Sequence, residues 1–169
     1  SADGTLSMVE TSFSKDGSLM AYQISEGGSD WTKILDKNTK TLEIIEDTLI
    51  DVKFSGIAWT GNEGFFYSSY DKPKSGSQLS GKTQIHKLYF HKLGTPQKSD
   101  LLVFGGDKQP RRYIGAGVTE DENYLVISAA ESTTGNELYI IDLKKPGSKI
   151  IQVVKGFDSD NVFIDNEGS

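Results

Sequence analysis

Cysteine is absent from this 169-residue chain. Disulfides, zinc–thiolate sites and a thiol nucleophile are therefore excluded. The absence fits cytosol and periplasm equally, so the compartment stays open. Histidine is almost as scarce, with His86 and His91 alone. They stand five residues apart on one predicted strand, so their side chains point to opposite faces and cannot converge on one metal. Positive charge is also in deficit: 18 Lys and Arg against 24 Asp and Glu leave a net charge of −6. The densest basic group, Lys108, Arg111 and Arg112, is too short for a phosphate-binding face, and no nucleic-acid partner is expected. No apolar run reaches the length of a membrane-spanning helix and no signal-like segment opens the chain, so no membrane partner is expected either.

What the sequence does have is glycine, 18 residues against only 4 prolines. Short apolar runs lie between the glycine-, Asp-, Ser- and Asn-rich stretches. Leu19-Met20-Ala21-Tyr22-Gln23-Ile24, Phe65-Phe66-Tyr67, Tyr124-Leu125-Val126-Ile127 and Leu138-Tyr139-Ile140-Ile141 are such runs. They are rich in β-branched and aromatic residues, which predicts strands joined by turns. Segment 41–50 holds good helix formers, but its Leu42-Glu43-Ile44 start alternates and it is short, so it also reads as strand. Little helix is expected.

An internal repeat sets the architecture. Phe13-Ser14-Lys15-Asp16-Gly17-Ser18-Leu19-Met20-Ala21 aligns with Trp59-Thr60-Gly61-Asn62-Glu63-Gly64-Phe65-Phe66-Tyr67 and with Val118-Thr119-Glu120-Asp121-Glu122-Asn123-Tyr124-Leu125-Val126. The shared pattern is an apolar residue, Ser or Thr, any residue, Asp or Asn, a short turn, then an apolar strand. Asp and Asn side chains bond the backbone that follows them, which favours the turn between antiparallel strands. Asp165-Asn166-Glu167-Gly168-Ser169 begins a fourth copy. Asp16, Asn62, Asp121 and Asn166 are 46, 59 and 45 residues apart, and the long interval holds a polar segment, 72–82, with the look of an inserted loop.

That period, with about four strands per repeat, predicts an all-β chain of β-propeller blades, each of four antiparallel strands. The remaining strands are expected at 31–35 and 42–46, at 84–92 and 101–104, and at 137–143 and 149–154. Blades are placed at 7–48, 49–106 and 107–155, with the start of another at 156–169.

Catalytic patterns are missing. No G-x-S-x-G elbow occurs, and Gly27-Gly28-Ser29 and Ser75-Gly76-Ser77 lack the strand–turn–helix context a nucleophile needs. Gly105-Gly106-Asp107 has no following Gly-Lys pair to cradle phosphate. The acidic run Asp158-Ser159-Asp160, with Asn161 and Asp165, lacks the Gly and Glu of a calcium loop and reads as a solvated connection. Neither a metal nor a cofactor is expected.

The ordered motifs carry a resemblance. Phe13-Ser14-Lys15-Asp16-Gly17-Ser18-Leu19-Met20-Ala21-Tyr22, Ser25-Glu26-Gly27-Gly28-Ser29-Asp30-Trp31 and Val52-Lys53-Phe54-Ser55-Gly56-Ile57-Ala58-Trp59 resemble the propellers of the prolyl oligopeptidase family, most of all its bacterial members. So do Gly64-Phe65-Phe66-Tyr67-Ser68-Ser69-Tyr70-Asp71, Leu88-Tyr89-Phe90-His91-Lys92-Leu93-Gly94-Thr95 and Asn136-Glu137-Leu138-Tyr139-Ile140-Ile141-Asp142-Leu143. The resemblance covers nearly the whole chain. It implies about three blades of a seven-bladed propeller that gates an α/β-hydrolase domain of the same parent chain. The parent would be a proline-specific serine endopeptidase acting on short proline-containing oligopeptides. The Ser-Asp-His triad would lie in the hydrolase domain, leaving this chain without catalysis of its own.

The resemblance also implies substrate-lining residues. Phe54 matches the aromatic position of the pocket for the third residue before the cut, expected on a strand near the inner edge of a blade. Tyr113 and Ser132 fall at two further pocket positions, and a one-residue gap makes Thr133 an equal candidate with Ser132. A stand-alone propeller used for protein binding is the alternative.

Overall fold

The computed structural model describes residues 4–45, 48–71 and 85–167. The expected inserted loop at 72–82, part of the strand expected at 42–46 and the last two residues of the fourth repeat lie outside the described residues.

Among the described residues, twelve strands form three four-stranded antiparallel sheets. The first holds β1 (Leu6–Phe13), β2 (Leu19–Glu26), β3 (Thr32–Asn38) and β4 (Leu49–Val52). The second holds β5 (Ile57–Thr60), β6 (Gly64–Tyr70), β7 (His86–Lys92) and β8 (Leu101–Gly105). The third holds β9 (Tyr113–Val118), β10 (Tyr124–Ala130), β11 (Asn136–Asp142) and β12 (Ile151–Val154). Strands pair in chain order within each sheet, and the only helical element among the described residues is one 3-10 turn, Gln97–Ser99. These are propeller blades, as the repeat predicts.

The first strands of the sheets lie together. The Trp59 indole N–H donates to the Ser12 carbonyl at 3.2 Å, the Ile57 amide donates to Glu10 Oε1 at 3.3 Å, and β9 runs beside β5. The sheets stack through two cores. Ala21, Ile34, Leu49, Val52, Ile57, Trp59, Phe65 and Tyr67 fill the space between the first and second. Ala58, Phe66, Leu88, Phe104, Ile114, Leu125, Ile127, Ala129 and Tyr139 fill that between the second and third. Strand β6 is consequently buried at every position, Phe65 and Tyr67 on one face and Phe66 on the other. Strand β10 keeps strict alternation, because its sheet has one face in the core.

One boundary differs from expectation. The sequence pattern puts the outer strand of the first sheet at 42–46 and starts the next blade at 49. Instead Ile44 makes a single bridge to Lys37, and regular pairing resumes at β4, with Ile34 opposite Leu49 and Thr32 opposite Val52. Burial decides this. Leu42 and Ile44 are exposed, whereas Leu49 and Val52 are fully covered in the inter-sheet core. Leu42 at φ 62° also breaks the extended backbone that a continuous strand needs.

The repeat motif builds near-identical turns at one end of the sheets. In the β1–β2 turn, Asp16 Oδ1 accepts from the Ser14 hydroxyl at 2.9 Å, the Ser18 amide at 2.9 Å and the Ser18 hydroxyl at 2.7 Å. In the β9–β10 turn, Asp121 Oδ1 accepts from the Thr119 hydroxyl at 2.6 Å and the Asn123 amide at 3.0 Å. Neighbouring turns then link: Asn62 Nδ2 donates to Asp16 Oδ2 at 2.7 Å, and Asn166 Nδ2 to Asp121 Oδ2 at 2.8 Å. The middle junction uses a backbone donor, the Gly61 amide on Glu122 Oε1 at 2.6 Å.

Candidate functional site

The opposite end of the sheets carries the connections into β5 and β9. Phe54 lies here, in the β4–β5 connection and not on a strand. Its φ is 53°, a conformation that non-glycine residues avoid at a cost of about 1–2 kcal/mol. The surroundings over-determine it. Just before Phe54, the Asp51 carbonyl accepts from the Ser69 hydroxyl at 2.5 Å, the Val52 carbonyl from Thr32 Oγ1 at 3.1 Å and the Lys53 carbonyl from His86 Nε2 at 3.0 Å. Just after it, the Ser55 carbonyl accepts from Gln23 Nε2 at 2.8 Å, and Ser55 Oγ accepts from the Ser68 amide at 2.7 Å. Buried polar side chains of four strands thus satisfy the connection's backbone, as a loop entering a core requires.

The ring this backbone presents is half exposed, at 52%. It belongs to neither of the two inter-sheet cores. It meets Tyr113 edge-to-face at 6.1 Å between centroids and Tyr70 at 6.3 Å. Tyr113, at the start of β9, is also exposed. The Lys53 ammonium stands 5.0 Å from the centre of the Phe54 ring and 5.2 Å from that of Trp31, with Asp30 at 3.5 Å. The result is an aromatic platform with one cation at its edge, suited to apolar and ring-bearing side chains.

Ser132 sits on the same end. It follows β10, whose Ala130 pairs with Tyr113, and its hydroxyl turns inward to its own loop, donating to the Thr134 carbonyl at 3.0 Å. Phe54 and Tyr113 are therefore brought together, and no ring or hydrogen-bond contact joins Ser132 to them. Beside Tyr113, Arg112 pairs with Glu131 and lies over the Phe157 ring at 4.5 Å. The acidic run serves this same loop: Asp160 Oδ1 accepts from the Gly135 amide at 2.6 Å, Asn161 donates its amide and its Nδ2 to Asn136, and Asn136 Nδ2 donates to the Asn161 carbonyl at 2.9 Å.

Both histidines are fully buried and differently engaged. His91 Nδ1 is 2.8 Å from Asp100 Oδ1, and the Tyr67 hydroxyl donates to Asp100 Oδ2 at 2.7 Å. Burial first, then the Asp100 carboxylate, raises the Tyr67 hydroxyl above the ordinary tyrosine range. His86 Nε2 meets the Lys53 carbonyl, and its Nδ1 accepts from the Ile114 amide at 2.9 Å. Burial lowers the His86 pKa, opposed by the bond to Lys53. Among the described residues no group of three His, Cys, Asp or Glu side chains could hold a metal ion.

Sequence reasoning missed Tyr70, Lys53, Trp31 and His86. A signal for the supporting residues exists. The inward phase of β2 runs Ala21, Gln23, Ser25, that of β3 runs Asp36, Ile34, Thr32, and that of β6 runs Phe65, Tyr67, Ser69. In β2 and β6 this phase turns polar toward the Phe54 end, and in β3 it ends there on Thr32, where the connection's carbonyls need donors.

The chain as a whole matches known proteins. Residues 1–169 match the family described as prolyl oligopeptidase, N-terminal beta-propeller domain. The chain is 60% identical over 168 residues to a prolyl endopeptidase of Elizabethkingia meningoseptica, covering 99% of this chain and 24% of that protein. It is 33% identical to prolyl oligopeptidase A of Amanita bisporigera, covering 100% and 25%. Among solved structures, prolyl oligopeptidase B of Galerina marginata, bound to a 25mer macrocyclization substrate, superposes with a TM-score of 0.89 at 30% identity, covering 100% of this chain and 25% of that one. The chain thus spans about a quarter of the length of these relatives.

Proposed function

Because the chain belongs to the prolyl oligopeptidase N-terminal β-propeller family, we propose that it gates and lines the substrate cavity of a proline-specific serine endopeptidase acting on short peptides. The Phe54 end faces a catalytic α/β-hydrolase domain of the same parent, and the Ser-Asp-His triad belongs to that domain. The observation that carries this reading is the Phe54–Tyr113 contact. Two residues 59 positions apart, both matched by the resemblance to substrate-lining positions, stand edge-to-face on an exposed platform. Ser132, or Thr133 beside it, belongs to the rim of that platform. An apolar side chain of the peptide, third before the cut, packs on the rings and excludes water.

The test uses the full-length protein. Phe54→Ala should raise KM roughly tenfold for a peptide reaching the third residue before the cut, as expected for losing ~1–2 kcal/mol of aromatic packing. A peptide too short to reach the ring should be unaffected. Since the ring is half exposed, stability should fall by less than about 1 kcal/mol. An equal loss on both peptides rules out the lining role. The 169-residue chain alone should not cleave a proline chromogenic peptide, and turnover blocked by a serine-directed inhibitor would overturn that.

A further inference from the structure

His86 is the point where the two lining rings are tied to each other. Its imidazole lies in the second sheet, between the β4–β5 connection and β9. The Lys53 carbonyl can only accept a hydrogen bond and the Ile114 amide can only donate one. A neutral imidazole offers one donor and one acceptor, so the Nε2–H form alone satisfies both partners. Each partner belongs to the peptide unit that bears a ring. The Lys53 carbonyl shares its peptide plane with the Phe54 nitrogen, and the Ile114 amide shares its plane with the Tyr113 carbonyl. A third hold is the Tyr70 ring, 4.5 Å from the imidazole and 30° off parallel, which itself touches Phe54. Gly105 allows this closeness, since a Cβ there would stand 2.5 Å from both the His86 carbonyl and Ile114 Cδ1.

We infer that His86 is a positioning residue for peptide recognition, fixing Phe54 and Tyr113 relative to each other through the Lys53 carbonyl and the Ile114 amide. The inference rests on the reading of those two rings as substrate lining. No other side chain can replace it fully. Asparagine reaches the Nδ1 position and can serve Ile114, whereas glutamine reaches the Nε2 position and can serve Lys53. Phenylalanine keeps the stack on Tyr70 and serves neither.

The experiment compares His86→Phe, His86→Asn, His86→Gln and Phe54→Ala in the full-length protein, with KM and kcat measured on a short and a long proline peptide. His86→Phe should raise KM for the long peptide about three- to tenfold, the range for losing hydrogen bonds of this kind. Its kcat and the short-peptide KM should stay unchanged, and the asparagine and glutamine variants should each recover part of the loss. A crystal structure of the His86→Phe protein, or of the glutamine variant if the first does not fold, should show the rings parted. Rings still in contact overturn the inference whatever the kinetics. A His86→Phe loss equal on both peptides, beside a selective Phe54→Ala, overturns it as well. So do asparagine and glutamine variants no better than phenylalanine. If the rings part but Phe54→Ala is not selective, the tether stands and the lining reading falls.

Discussion

The two ends of these sheets are built by different means. At the Asp16 end the β1–β2 and β9–β10 turns are each made from their own neighbours: a hydroxyl, a carboxylate and two amides within five residues. At the Phe54 end the connection is held by Gln23, Thr32, Ser68, Ser69 and His86, which are up to 33 residues away in sequence. Local chemistry can be copied from blade to blade, so the first end repeats. Support from distant strands fits one connection only, so the second end is singular, and the proposed recognition platform lies there.

Glycine substitutions at the two ends should give the largest contrast. Gly105→Ala, at φ +88° with its new Cβ against the His86 carbonyl and Ile114, should cost about 3 kcal/mol or more. Gly17→Ala, at φ +71° with nothing within 4 Å, should cost only about 1 kcal/mol. Equal costs in denaturant unfolding would break the distinction between a packed end and an open one.

Acid should act on the two ends in separate windows. Burial depresses the His86 pKa below its ordinary 6.5, so the unfolded chain takes up that proton first. Stability should then fall as pH drops below about 6.5, by at most about 1.4 kcal/mol per pH unit. His86→Gln should flatten this limb, and an unchanged slope would show that His86 is not the group responsible. A double-mutant cycle on Phe54 and Tyr113 should return a smaller term, about 0.5–1 kcal/mol of ring–ring coupling. Zero coupling would mean the rings touch without supporting each other.

The smallest effect should come from the signature turns. Asp121 is held down to about 2 by the Thr119 hydroxyl, the Asn123 amide and Asn166. Its contribution is present above the ordinary 3.8 and is lost as pH falls through about 2. Asp121→Asn should remove that acid limb and leave the limb near pH 6 intact.

The same contrast explains what could be read in advance. Four-stranded blades were legible because the Asp and Asn turns recur at a fixed period and the apolar residues alternate. The outer strand of the first sheet was misplaced, because Leu42 and Ile44 match the pattern as well as Leu49 and Val52 do. Only inter-sheet burial separates them. Phe54 was marked by resemblance, but its left-handed backbone was not, since nothing in Lys53-Phe54-Ser55 reveals donors on four other strands. His86 read as an ordinary strand histidine because its two partners are backbone atoms, which leave no mark in a sequence.

The links between signature turns are of two kinds. Asp16 takes a hydrogen bond from the Asn62 side chain and Asp121 takes one from Asn166, so each of these acids knots its own turn to the next. Between those two knots the Gly61 amide on Glu122 Oε1 makes the join, and a backbone donor survives any change of side chain. The junctions on either side can therefore be loosened by replacing one asparagine, whereas the middle one yields only at its carboxylate.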